Sequence, residues 1–342
     1  MPLPGFLLLA TMSIGNEYDL HILALVSAVS ATAAKQIIFY VSFKGRKIIS
    51  KKTLKRMRPF QRLVTKYGAA AAFVAAAFGG MAAPMFLTIS GWGMYRSASR
   101  RLSEGHSTVQ WSSWIMPRVV LLFLCQLLVN LLLNVERGGR FEWHTPGVLT
   151  LLAISAALCP LLVRATTRNR SLAMLAFGIS PLLLGDLSEP AIGWFERVGA
   201  ESVEVWFARL LLNGTYPVVP WMFYVLLGTV LHDLSADTST RERWIVFGIL
   251  ATTVTLALSV IGDIDSALTS GESVLTFFPA SMPFLIVSGT MVALSLRVLE
   301  GDEETGGEPF MGDRLSLLEP AGRLSLTIYV THFAILGAVA LA

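Results

Sequence analysis

The chain has 342 residues, of which 54% are hydrophobic and only 15% charged, with mean hydropathy +0.63 and a formal net charge of +4. That balance excludes an ordinary soluble domain, and the apolar residues come in long blocks, so a single membrane bundle is the expected class. The positive charge is concentrated in the run Lys44 to Lys66 and in Arg96 to Arg101, which points to membrane orientation and not to nucleic-acid binding.

The first twenty residues hold an apolar stretch too short to span a bilayer and without the basic start of a signal peptide. Runs approaching the roughly 20 residues that a helix needs to cross hydrocarbon follow at 22–43, 69–95, 115–135, 146–163, 172–187, 218–233, 244–262, 277–298 and 322–342. The expected architecture is therefore all-α, a polytopic helical membrane bundle of about nine segments. A stretch such as LLFLCQLLVNLLL lacks the alternation of a transmembrane barrel strand.

The run KGRKIISKKTLKRMRPFQRLVTK, residues 44–66, carries ten Lys or Arg and no acid, which assigns it to the cytoplasmic side. Counting back from the acidic loops 188–217 and 263–276 places Arg164, Arg168, Arg170, Arg241 and Arg243 inside, and Arg96, Arg100 and Arg101 with them. A single helix over 69–95 would put these on the opposite side from 44–66. The alternatives are an external basic loop or a re-entrant hairpin at 69–95, broken at Gly79, Gly80 and Pro84.

Candidate chemistry is sparse. Cys125 and Cys159 sit in apolar runs and suggest neither a disulfide nor a metal site. Asn130 and Asn134 lie four residues apart on one helix face, fitting either an interhelical hydrogen-bond stripe or a polar pocket wall. Asp186 and Glu189 end a span on the outer side, where carboxylates are commonly solvated. Asn213 opens NGTYP, read as a turn before the next span, with Pro217 and Pro220 shaping its start. His106 and His232 lack metal-ligand spacing, and no P-loop, dinucleotide fingerprint or serine elbow occurs.

Residues 19–78 resemble part of the DedA (VTT-domain) family through a small-residue helix, a Tyr-rich turn, GR, a basic helix and KYG before an Ala-rich segment. That resemblance implies a lipid transporter, with Lys35 as a lipid-phosphate contact or a snorkelling residue. From about Phe78 the chain resembles transmembrane acyltransferases related to heparan-α-glucosaminide N-acetyltransferase. The matching stretches are FGGMAAPMFLTISGWGMYRSASRR, the Arg118-led helix ending in LLLN, PGVL at Pro146, NGTYPVVPWMFYVLLGTVL, FFPASMPFLIVSG and LEPAGRLSLTIYVTHFAIL. The domains expected are 1–78, partial DedA-like, and 79–342, acyltransferase-like.

The second resemblance implies transfer of an acyl group, acetyl foremost, from acyl-CoA as co-substrate to a glycan, lipid-linked or other hydroxyl or amine acceptor, with membrane lipids as partners and no metal. The family's first helix, which brings its proposed catalytic histidine, has no counterpart here, and His21 belongs to a different motif. The residues expected at the site are then His332 as base, with Tyr329 on the same face, Arg323 for a CoA phosphate, and Arg118, Asn130, Asn134 and His144 for substrate. His332 fits equally a packing hydrogen bond, Arg323 a charge anchor and the Trp143–His144 pair a membrane boundary.

Overall fold

The computed structural model describes residues 81–262, 264, 267–268, 274–300, 326–327, 329–331 and 333. The chain divides into two compact units, Met1–Ala82 and Ala83–Ala342, and nearly all of the described residues belong to the second. The DedA-like segment, the Lys44–Lys66 run and the upstream half of the expected hairpin lie outside the described residues, as do Arg323 and His332.

Helix α1, Ala82–Ser103, carries Pro84 in its first turn, where the missing N–H costs no hydrogen bond, and runs unbroken to Arg100 and Arg101 in its last turn. Gly105, at φ +84°, ends the segment. Ser107 then opens α2, Thr108–Leu132, with a reciprocal capping box to Gln110. Helices α3, Val148–Arg164, and α4, Thr167–Leu183, follow, α4 capped by the Thr166 hydroxyl.

Between Asp186 and Asn213 the chain makes short pieces, α5, Trp194–Val198, and α6, Val203–Ala208, which continues into a π-helical turn at Arg209–Asn213. Helix α7, Val218–Leu234, starts at Pro217 and is kinked at Val219. Helix α8, Thr238–Ile261, a two-residue parallel pairing of β1, Ala267–Leu268, with β2, Leu275–Thr276, and α9, Met282–Glu300, complete the series. Leu326, Thr327, Tyr329, Val330, Thr331 and Phe333 are also helical.

Helix α7 is apolar around its circumference, so it is buried on every side. Gly228 meets α1, Phe223 packs on Gly178 of α4 and Gly289 of α9, and the Tyr224 hydroxyl bonds Ser288 of α9 at 2.6 Å. Helices α2 and α3 pair along their length, as do α8 and α9. The expected apolar runs within the described residues are helical over most of their length, although 277–281 is a turn before α9 begins at Met282. By length and composition, among those residues, Ser113–Leu132 can cross a membrane, and the bent pair Val203–Asn213 with Val218–Leu234 is a second if it forms one span. The expected count of about nine is not reached on that test; Val148–Arg164 and Met282–Arg297 are shorter apolar helices.

Candidate functional site

Two glycines bring the site together. A Cβ on Gly91 of α1 would collide with the Val225 carbonyl, and one on Gly228 of α7 would collide with the Thr88 carbonyl and approach Trp92 N to 2.7 Å. Only glycine lets the two backbones touch, as in small-residue crossings of apolar helices. At and one turn beyond the contact, Trp92 and Tyr95 of α1 meet His232 in the last turn of α7, edge-on, with ring centroids 5.5 and 5.2 Å away.

The His232 Nδ1 lies 3.5 Å from Asp233 Oδ1 and is buried without a hydrogen-bond partner. The other carboxylate oxygen, Oδ2, accepts from Thr167 Oγ1 at 2.5 Å and from Arg170 Nη2. Arg170 is 2% exposed, and its guanidinium rests 4.1 Å over the Tyr95 ring. Its Nη1 donates to Leu162 O and Ala165 O, both at 2.9 Å, and so caps the C-terminus of α3, where unpaired carbonyls favour a cation. A buried ion pair is tolerable only with this degree of hydrogen bonding. The result is an imidazole beside an anchored carboxylate, reached through a half-buried surface. That pattern places a candidate base next to a fixed carboxylate.

Around this cluster the arginines collect at one end of the bundle, because the helices alternate in direction. Arg101 from α1 and Arg118 from α2 both lie over Trp114, at 4.0 and 3.9 Å from its centroid. Arg297 of α9 reaches Glu242 of α8 at 3.5 Å, and Arg164 and Arg168 flank the α3–α4 turn. Arg100 stands in the last turn of α1, with Arg96 one turn before it, and Arg241 and Arg243 stand in the first turns of α8.

At the opposite end lies a polar network. Gln126 Nε2 donates to Asn130 Oδ1 at 2.9 Å, and Asn130 Nδ2 donates to Trp143 O and Thr145 O at 3.1 and 2.8 Å. Thr145 Oγ1 donates to Val198 O. Two arginines brace the loop above. Arg197 donates to Asn213 O at 2.8 Å and Glu189 O at 3.0 Å, and Arg209 reaches the Glu189 carboxylate at 3.0 Å. Burial, then the charge of Arg209, draws the Arg197 guanidinium down to about 10.

The residues expected from sequence fall at different places. Asn130 holds loop carbonyls, while Asn134 caps the short 3-10 turn Val135–Arg137 through Glu136 N at 2.8 Å. Arg118 is at the basic end and exposed. His144 is at the other, its carbonyl accepting from Trp206 Nε1 at 2.8 Å and its Nε2 buried without a hydrogen-bond partner. Tyr329 stacks on Phe86 with ring centroids 6.1 Å apart.

His232, Asp233, Arg170, Thr167, Trp92 and Tyr95 form the one coherent titratable cluster near that basic end among the described residues, and sequence reasoning weighed His232 only as a metal ligand. The available signal was an adjacent His-Asp pair closing a long apolar run. Among the described residues no group of His, Cys, Asp and Glu is placed to hold a metal.

A family model described as an acyltransferase domain matches residues 38–342, nearly nine-tenths of the chain, and begins inside the segment that resembles DedA proteins. No curated protein and no solved structure gives a significant match.

Proposed function

The chain belongs to the acyltransferase-domain family, and from that premise we propose that it is a multi-pass membrane enzyme moving an acyl group, acetyl foremost, from acyl-CoA to a hydroxyl or amine acceptor of glycan type. Several of the stretches quoted above, LEPAGRLSLTIYVTHFAIL foremost, favour a relation to the heparan-α-glucosaminide N-acetyltransferase branch. The inside-out distribution of polarity supports the membrane. Leu183 is 75% and Phe247 71% exposed, whereas Gln126, Asn130, Ser155 and Arg170 are buried. On this reading the arginine-rich end of the described helices faces the cytoplasm, where acyl-CoA is found.

The observation that carries the reading is the placement of His232 beside Asp233 at that end. In the reaction the acceptor O–H or N–H loses its proton to His232 Nε2 as its lone pair attacks the thioester carbonyl. The tetrahedral oxyanion collapses, the C–S bond breaks, and the CoA thiolate leaves with the proton that His232 returns. Asp233 is fixed by Arg170 and Thr167 at 3.5 Å from Nδ1, and on this reading the separation tightens to a hydrogen bond that orients the imidazole once substrate is bound. Exposed Arg118 and half-buried Arg101 offer contacts to the CoA phosphates. Arg323, outside the described residues, is a further candidate from the sequence alone.

The test is CoA release from acetyl-CoA with glucosamine as acceptor, using the purified full chain in lipid nanodiscs. His232→Ala and His232→Gln are expected to lower the rate roughly 10²- to 10⁴-fold, the range for a general base, with little change in KM for acetyl-CoA. Full activity in both variants, with the protein folded, overturns the role given to His232.

A further inference from the structure

The span from Val203 to Leu234 is interrupted. A π-helical turn ends at Asn213, the chain passes through Gly214, Thr215 and Tyr216, and α7 restarts at a bend of 45°. Gly214 is required at the joint, because a Cβ there would strike the Arg209 carbonyl. Both π turns and interrupted membrane helices recur at functional sites, since they expose backbone and side-chain polar groups inside an apolar bundle.

Three buried polar atoms at or beside this joint have no hydrogen-bond partner among the described residues: Asn213 Oδ1, Trp221 Nε1 and His144 Nε2. Asn213 is 3% and Trp221 0% exposed. The segment bearing His144 is laid against the joint by Thr215 Oγ1 donating to Pro146 O at 2.9 Å and by the Trp206–His144 bond. Trp221 packs on Tyr216, with ring centroids 4.8 Å apart. Each such group left unpaired costs about 1–3 kcal/mol, so three around one joint call for a bound group.

Their chemistry specifies it. An amide oxygen needs a donor, an indole N–H needs an acceptor, and an imidazole nitrogen takes either, a combination that hydroxyl groups satisfy. Charge is not called for, since the Arg197 terminal nitrogens are engaged by carbonyls and Arg209 by Glu189. Aromatic faces at Tyr216 and Trp221 suit the C–H side of a sugar ring. We propose that the joint at 213–221 is a binding site for a neutral, polyhydroxyl ligand. Trp221 stands in the first turn of α7 and His232 in the last, about 16 Å apart along the helix, so this site is distinct from the place where the acceptor of the acyl-transfer reading meets its base.

Isothermal titration of the full chain in nanodiscs with methyl β-glucoside tests it. Saturable binding is expected, weakened roughly tenfold by Trp221→Phe, which removes one N–H and keeps the ring, and similarly by Asn213→Leu. No saturable binding, or the same affinity in both variants, overturns the proposal and leaves the joint filled by water. CoA release is followed in parallel. Glucoside binding without any CoA release sinks the acyl-transfer reading but leaves the site, whereas CoA release with no glucoside binding sinks the site alone.

Discussion

Gln126, midway along α2, accepts the backbone N–H of Leu149 at 3.1 Å and so caps the first turn of α3 from the neighbouring helix. Gly147 makes room, because a Cβ at that position would lie 2.6 Å from the Gln126 amide. The same side chain holds Asn130, so one residue couples the helix pair to the loop at 143–145.

Replacing Gln126 with Leu leaves Leu149 N and Asn130 Oδ1 unpaired, and the expected loss is about 2–3 kcal/mol of stability. Denaturant titration of the protein in mixed micelles reads this. A loss indistinguishable from zero would mean that water replaces the amide.

The crossing of α1 and α7 makes its own prediction. Gly228→Ala forces the two backbones apart, with an expected cost of about 1–3 kcal/mol for overpacking. Because Trp92 and Tyr95 are held against His232 by that crossing, CoA release falls in the same variant even at temperatures where it remains folded. Unchanged activity in a folded Gly228→Ala protein refutes the coupling.

Arg170 and Asp233 are expected to behave as a pair. Arg170→Met alone removes a buried cation and its hydrogen bonds, an effect of about 3–5 kcal/mol. The double substitution Arg170→Met with Asp233→Leu costs markedly less than the sum of the two singles, as a double-mutant cycle would measure. Simple additivity in that cycle argues against the pair.

Asp237 caps α8, accepting from Thr240 N at 3.1 Å and from Ser239 Oγ at 3.0 Å. Hydrogen bonds from the Thr240 side chain and backbone, then from Ser239, depress its carboxyl below the ordinary value of 3.8. A depressed carboxyl adds stability that is complete above the unfolded value and is lost as pH falls through the lower folded one. Protection of the Thr240 amide from hydrogen exchange therefore weakens below about pH 4. Asp237→Asn keeps the cap and removes that pH dependence; an equal dependence in the variant disproves the assignment.

Much of the architecture could be read from the chain. Length and apolar composition predicted the helices. The site was less legible, since Arg170 and Asp233 are 63 residues apart and nothing local marks them as partners. Arg170 looked like one more orienting cation in a basic turn. The even spacing of Asn130 and Asn134 suggested a common task, but helix α2 ends between their roles: one serves a loop and the other the next turn. The break at Asn213 was visible as NGTYP, whereas the polar atoms it gathers come from segments distant in sequence.

Where α1 and α7 touch backbone to backbone at Gly91 and Gly228, neither helix can slide along the other without a clash. The crossing therefore sets a single register for the two helices, and with it the height at which His232 meets Trp92 and Tyr95.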